Sequence, residues 1–231
     1  NEQPIIDEYV EKYSHFSTIV KENGGYGSVL QMAIHHIETP YMLICDPDDY
    51  LYPYTVRKLT ELMEENQVDL VIGAKTLVFS DNEEDKYDKS YNADYAHIKD
   101  NRIYQTVDTE YKDLYFIEPS PHAKLYKTAM LTDIVFPNKV SYTDNLLYFT
   151  VLNHARKVIY TSEALAYYLI NRAGNTRTDV KLSVIDAWIK VISALLEQNN
   201  DETVPDIFYY RMFEAYKTVM NEKIDACRCT E

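Results

Sequence analysis

The chain has 231 residues, 46% hydrophobic and 26% charged, with 37 acidic against 23 basic residues and a net charge of −14. Such a composition builds one sizeable globular domain, or one with an appendage, and the acidic balance excludes non-specific nucleic-acid binding, which needs a basic face. No uninterrupted apolar run is long enough to span a bilayer, no secretory signal is visible, and Cys45, Cys227 and Cys229 make neither a disulfide framework nor a zinc-site spacing, so a reducing, cytoplasmic setting is expected.

Ile5 to Tyr13 alternates with a helical period, and Phe16 to Val20 reads as a strand. Lys21 to Ser28 is a glycine loop, and Leu30, Ala33, Ile34 and Ile37 follow it at helical spacing. A glycine loop entering a helix offers backbone N–H groups and the helix dipole to an anion. This loop matches neither a P-loop nor a dinucleotide fingerprint, and taken alone it reads as a tight turn.

Tyr41 to Cys45 is a short apolar run that fits a strand buried on both faces, and it ends in Asp46, Asp48 and Asp49. Clustered carboxylates repel one another unless a cation neutralises them. Beyond the carboxyl end of a strand in an α/β sheet they suit Mg²⁺ or Mn²⁺, which takes one or two carboxylates and is completed by substrate phosphates. The competing reading is an Asp-rich turn, bent by Pro47 and Pro53, before the next helix.

That helix runs from about Val56 to Asn66, and Val68 to Phe79 is strand-like with a break near Gly73. Ser80 to Asp100 is polar, without a period, and reads as a solvated excursion; Arg102 to Val107 reads as a strand. Pro119 to Tyr126 marks a turn carrying His122 and Lys124, each by itself more often structural than ligand-binding, and a short helix is expected from Lys127 to Ile134. Thr143 or Asp144 caps a helix to about His154; Lys157 to Tyr160 and Ala164 to Ile170 are strand-like; Arg172 to Thr178 is a basic loop. Leu182 to Leu196 and Ile207 to about Ile224 are helical. The 22 tyrosines suggest sugar stacking, but read better as strand and core-edge residues.

Strand, glycine loop, helix, a strand ending in DxDD, and a helix follow in one order, with KENGG at Lys21–Gly25 and DPDDYLYP at Asp46–Pro53. Further on come Lys124–Tyr126, Thr143–Asp144 and Asn175-Thr176-Arg177. In this run the chain resembles the family 2 glycosyltransferases, nucleotide-diphosphosugar transferases of the GT-A fold, over most of residues 5 to 178. The resemblance implies an α/β fold with a mixed sheet flanked by helices over residues 1–180, and a small helical C-terminal segment over 181–231. It implies transfer of a sugar from a nucleotide-diphosphosugar of the UDP class to a saccharide or glycoconjugate acceptor, in bacterial polysaccharide assembly. Asp46, Asp48 and Asp49 would hold Mn²⁺ or Mg²⁺, and Asp144 would be the catalytic base, ionised at the start of its helix. Asn23, Gly24, Gly25, Lys124, Arg172 and Arg177 would contact the donor. The place of work would be the cytoplasm, at the inner face of the membrane by peripheral contact.

Two departures stand out. Thr143 occupies the place of a family glutamate. The family's first β-α-β unit, about 30 residues that read the nucleotide base and ribose, should precede Asn1, so the sheet is expected to be incomplete at its N-terminal side. A transferase-like binding module without turnover is the alternative. A haloacid-dehalogenase-type phosphatase fits less well, since Tyr50 stands where Thr or Val is usual and no Gly-Asp pair follows. An EF-hand fails at Leu51 and Arg57, where the loop needs Gly and Glu.

Overall fold

The computed structural model describes residues 3–79, 84–170 and 182–228. Helix α1 (Gln3–Lys12) buries no side chain. Helix α2 (Tyr26–His36) leads to strand β1 (Tyr41–Leu43), and β2 (Tyr50–Leu51) to helix α3 (Thr55–Asn66). Strands β3 (Leu70–Phe79), β4 (Lys86–Asp88) and β5 (Arg102–Gln105) precede a 3₁₀ segment at Thr109–Phe116. Then come β6 (Lys124–Lys127), α4 (Thr143–His154), β7 (Lys157–Ile170), α5 (Leu182–Gln198) and α6 (Asp206–Arg228).

These strands form one mixed sheet in the order β1-β6-β3-β7-β2, with β4 beside β3 and β5 beside β7. Only β3 and β7 run parallel. Each of these two long strands changes its outer neighbour partway. The first half of β3 pairs β6 and the second half β4, while β7 pairs first β5 and then β2. The change falls where the β3–β7 register slips, at Gly73–Lys75. Gly73 is required there by crowding: a Cβ would stand 2.9 Å from Leu165 Cδ1 and 3.3 Å from Ala123 Cβ. The break expected near Gly73 is thus a bulge that bends the sheet without ending the strand.

Helix α4 lies against the sheet and is buried on nearly every side, from Leu146 to Asn153. Its other side is covered by α5 and α6, whose Val191, Leu195 and Phe208 belong to the same core as Leu70, Ile72 and Leu147. The C-terminal helices are therefore part of the main hydrophobic core. The tyrosines are largely structural, as the sequence suggested. Tyr148 donates to Leu114 O at 2.7 Å, Tyr160 to Lys89 O at 3.0 Å and Tyr115 to Asn153 Oδ1 at 2.7 Å, so buried rings also pin loops.

Several local expectations are corrected. Phe16 to Val20 is coil, with Ile19 and Val20 exposed; no strand among the described residues offers it a ladder, so apolar composition alone does not make it a strand. The run Tyr41–Cys45 is buried on one face only. It forms three strand residues at the sheet edge, with Met42 inside and Cys45 exposed, because β1 has β6 on one side and no strand on the other among the described residues. The polar stretch before Asp100 is partly built in: β4 pairs β3, and Ala96 and Ile98 are buried. Lys127 to Ile134 holds only a 3₁₀ turn at Thr128–Met130. The two runs after Lys157 are one strand, joined through the bulge.

Candidate active site

The ends of β1, β6 and the start of α4 open onto a cavity of about 600 Å³. The DPDD turn is closed by Asp49 N–H donating to Asp46 O at 3.0 Å. Asp49 is then fixed from two sides: its Oδ1 accepts from Leu169 N at 2.8 Å, and its Oδ2 accepts from His122 Nε2 at 2.7 Å. His122 reaches it from the segment entering β6 and packs its ring on Tyr168, 4.2 Å between centroids. Its Nδ1 is buried and has no hydrogen-bond partner in the protein.

Asp46 lies close to this pair. One ligand atom each from Asp46, Asp49 and His122 falls within 4.8 Å of the others. Burial pushes the Asp46 carboxyl above its usual range, while Tyr26 and His122 nearby draw it back. The raised carboxyl beside a second carboxylate and an imidazole is what a bound divalent cation would relieve, so the residues fit a metal ion. Asp48 lines the same cavity and is not one of this trio.

Asp144 also lines the cavity, one residue into α4. Its Oδ1 accepts from Asn145 Nδ2 at 3.3 Å. Burial lifts its pKa to about 6, against the hydrogen bonds from Asn145 and the charge of Lys124. The helix start was expected to hold this group fully ionised, and desolvation outweighs it. Thr143, in place of the family glutamate, turns away: a Cβ on Gly27 would stand 3.0 Å from its Cγ2, so it packs α4 against α2.

The glycine loop does a different job from the one expected. Asn23, Gly24 and Gly25 do not line the cavity; only Tyr26, the next residue, does. Asn23 Oδ1 accepts from Gly25 N at 3.0 Å, and Gly24 O from Lys139 N at 2.6 Å. Gly25, with φ 82°, begins α2 in a conformation that other residues rarely take.

Lys124 is fully buried and faces its own chain, not the cavity. Its Nζ donates to Glu118 O at 2.9 Å and Ser120 O at 2.5 Å, and burial, with Lys75 nearby, lowers its pKa to about 7. Lys75, equally buried in β3, pairs with the Glu118 carboxylate and lies 3.7 Å from Asp88. The two lysines thus hold Glu118 to Ser120 as a wall of the cavity. A lysine inside an otherwise apolar strand was the signal for Lys75, since lysine is almost never buried unless paired. The far wall comes from Phe149, Trp188, Leu195, Arg211 and Met212 on α4, α5 and α6, and no sequence motif announced it. Arg172 and Arg177 lie outside the described residues. No helix among the described residues is long and apolar enough to cross a membrane.

A mixed sheet with a carboxylate-lined cavity at its strand ends defines the class: an α/β transferase-type domain of the GT-A kind. The model of the family "Glycosyl transferase family 2" matches residues 1–134, more than half of the chain, and the chain belongs to that family. An uncharacterized glycosyltransferase of Mycoplasma genitalium is 24% identical over 200 residues, covering 84% of this chain and 62% of the relative. The poly(ribitol-phosphate) beta-N-acetylglucosaminyltransferase TarS of Staphylococcus aureus is 23% identical over 226 residues, 93% of this chain and 37% of TarS. The crystal structure of TarS 1-349 in complex with UDP-GlcNAc superposes with a TM-score of 0.66 at 18% identity, over 97% of this chain and 61% of that one. Its complex with UDP gives 0.58 over 98% and 79%. The chain therefore spans about three-fifths of the Mycoplasma relative and of the UDP-GlcNAc complex, and shares the fold of the latter.

Proposed function

We propose that this protein transfers a sugar from a nucleotide-diphosphosugar of the UDP class to a saccharide or glycoconjugate acceptor, in the cytoplasm, during assembly of a bacterial surface polymer. The observation that carries the reading is the meeting of Asp46, Asp49 and His122 with Asp144 around one cavity. The printed function of TarS, and its crystallisation with UDP-GlcNAc, support the donor class.

A Mn²⁺ or Mg²⁺ held by Asp46, Asp49 and His122 would supply positive charge to the diphosphate leaving group. Asp48, beside that trio, adds to the negative field that makes the place attractive to a cation. Asp144 takes the proton of the attacking acceptor hydroxyl on its carboxylate. A pKa near 6 suits this role, since the group is mostly ionised at neutral pH yet more basic than an ordinary aspartate. Phe149, Trp188, Leu195 and Met212 give the far side of the cavity a largely apolar surface. Arg172 and Arg177 enter this reading through the family pattern alone, as guanidiniums closing over the diphosphate.

Calorimetry with Mn²⁺ and UDP on the natural gene product tests the reading. We expect the parent to bind the pair, and Asp46→Asn to weaken binding by about tenfold or more, since it removes a charged ligand. Equal binding by parent and variant would reduce the cluster to a turn.

A further inference from the structure

A second cavity, of about 290 Å³, adjoins the first. Glu118, Pro119 and Arg211 line both, whereas Asp46, Asp48 and Asp49 line only the first. Arg211 is the only lysine or arginine on either wall among the described residues. Its Nε donates to Tyr115 O at 3.0 Å, and its guanidinium carbon lies 5.0 Å from the centre of the Phe116 ring. One backbone oxygen and one ring therefore fix the fork in place. No carboxylate among the described residues pairs with it, although it is half-buried in an acidic protein. A second group points the same way. Ser90 lines the second cavity, is 2% exposed, and its Oγ has no hydrogen-bond partner. It is set there by a left-handed backbone, φ 63°.

A desolvated, unpaired guanidinium and an orphaned buried hydroxyl are each unfavourable, and one incoming anion would satisfy both. The carboxylates nearby do not prevent this, because Lys75 pairs Glu118 and lies 3.7 Å from Asp88. Resting on the reading of the first cavity as the transfer site, we propose that Arg211 and Ser90 bind an anionic group, phosphate or carboxylate, carried by the acceptor. The second cavity would seat that group while the adjoining hydroxyl enters the first.

The test is calorimetry on the natural gene product with two probes, glycerol 3-phosphate and glucuronate, with and without saturating Mn²⁺ and UDP. At least one probe should bind one-to-one in both conditions, and which one binds tells phosphate from carboxylate. Arg211→Gln should weaken it by about tenfold or more, as loss of a charge-assisted bond does, Arg211→Lys by less, and Ser90→Ala by a few-fold. Asp46→Asn should leave it unchanged. Loss of Mn²⁺–UDP binding with the anion still tracking Arg211 would sink the transfer reading and leave this site standing. The proposal is overturned if neither probe binds, if folded Arg211→Gln and Arg211→Lys bind as the parent does, or if Mn²⁺–UDP displaces the probe, which would assign Arg211 to the donor.

Discussion

The two walls of the main cavity are made in opposite ways. The acidic wall is assembled locally: Asp46 to Asp49 lie within one turn, and Glu118 to His122 within one segment tied down by two buried lysines. The far wall is assembled at long range, by three helices that share the core beneath α4. The first wall holds charges that are uncomfortable without a partner, seen in the raised Asp46 and Asp144 carboxyls. The second, Arg211 apart, holds apolar side chains that pack with the core. The acidic wall is thus built for function at some cost in stability, and the far wall supplies stability with shape as its product. Substitutions should separate the two.

The largest effect is expected at Asp144. Replacing the proposed base by an isosteric amide leaves a hydrogen-bond acceptor for Asn145 but nothing to take the proton. Transfer by Asp144→Asn should fall by about 10²–10⁴-fold, the usual worth of a general base, with Mn²⁺–UDP affinity preserved. A near-parental rate would move attention to Glu118, the carboxylate of that wall outside the Asp46–Asp49 turn.

In the core behind the far wall the reverse is expected. Phe208 is fully buried and meets Phe149 edge-on, 6.4 Å between centroids. Phe208→Ala should destabilise the fold by about 3–5 kcal/mol, seen in denaturant unfolding. At temperatures where the variant stays folded, Mn²⁺–UDP affinity should match the parent. If affinity drops and stability does not, the walls are not distinct in the way described.

The same division explains what the sequence made legible. The DxDD turn, the Thr143–Asp144 helix start and the C-terminal helices were readable because short patterns specify them. His122 was seen but undervalued, since only the fold brings it within 2.7 Å of Asp49, 73 residues away. Lys124 was over-read: a lysine in a family pattern looks like a ligand contact, and burial turns it into a clamp on Glu118 and Ser120. The glycine loop carried the signature of an anion cradle, yet Gly27 is explained by the close approach of Thr143 and Phe136. Arg211 could not be read at all, because its partners, Tyr115 and Phe116, are about a hundred residues away and no motif links them.

The smallest expected effect sharpens the claim that the acidic wall is held against stability. Asp144 has an ordinary carboxyl in the unfolded chain and a pKa of about 6 in the fold. A raised acid favours the protonated form, so its contribution to stability is fully present below the unfolded value of 3.8 and is lost as pH rises through about 6. In Asp144→Asn this term is absent, because the amide does not titrate. Parent and variant should therefore unfold at similar temperatures near pH 4. The variant should gain relative to the parent between pH 4 and 6, and the gap should stay level above that. The shift corresponds to at most about 2–3 kcal/mol, reduced by the water that reaches the cavity. For a chain of this size that is at most roughly 4–12 °C in Tm. Differential scanning calorimetry across pH 4 to 8 measures it directly. A gap that closes as pH rises would mean that the folded protein prefers the ionised Asp144, as the helix dipole alone would have it.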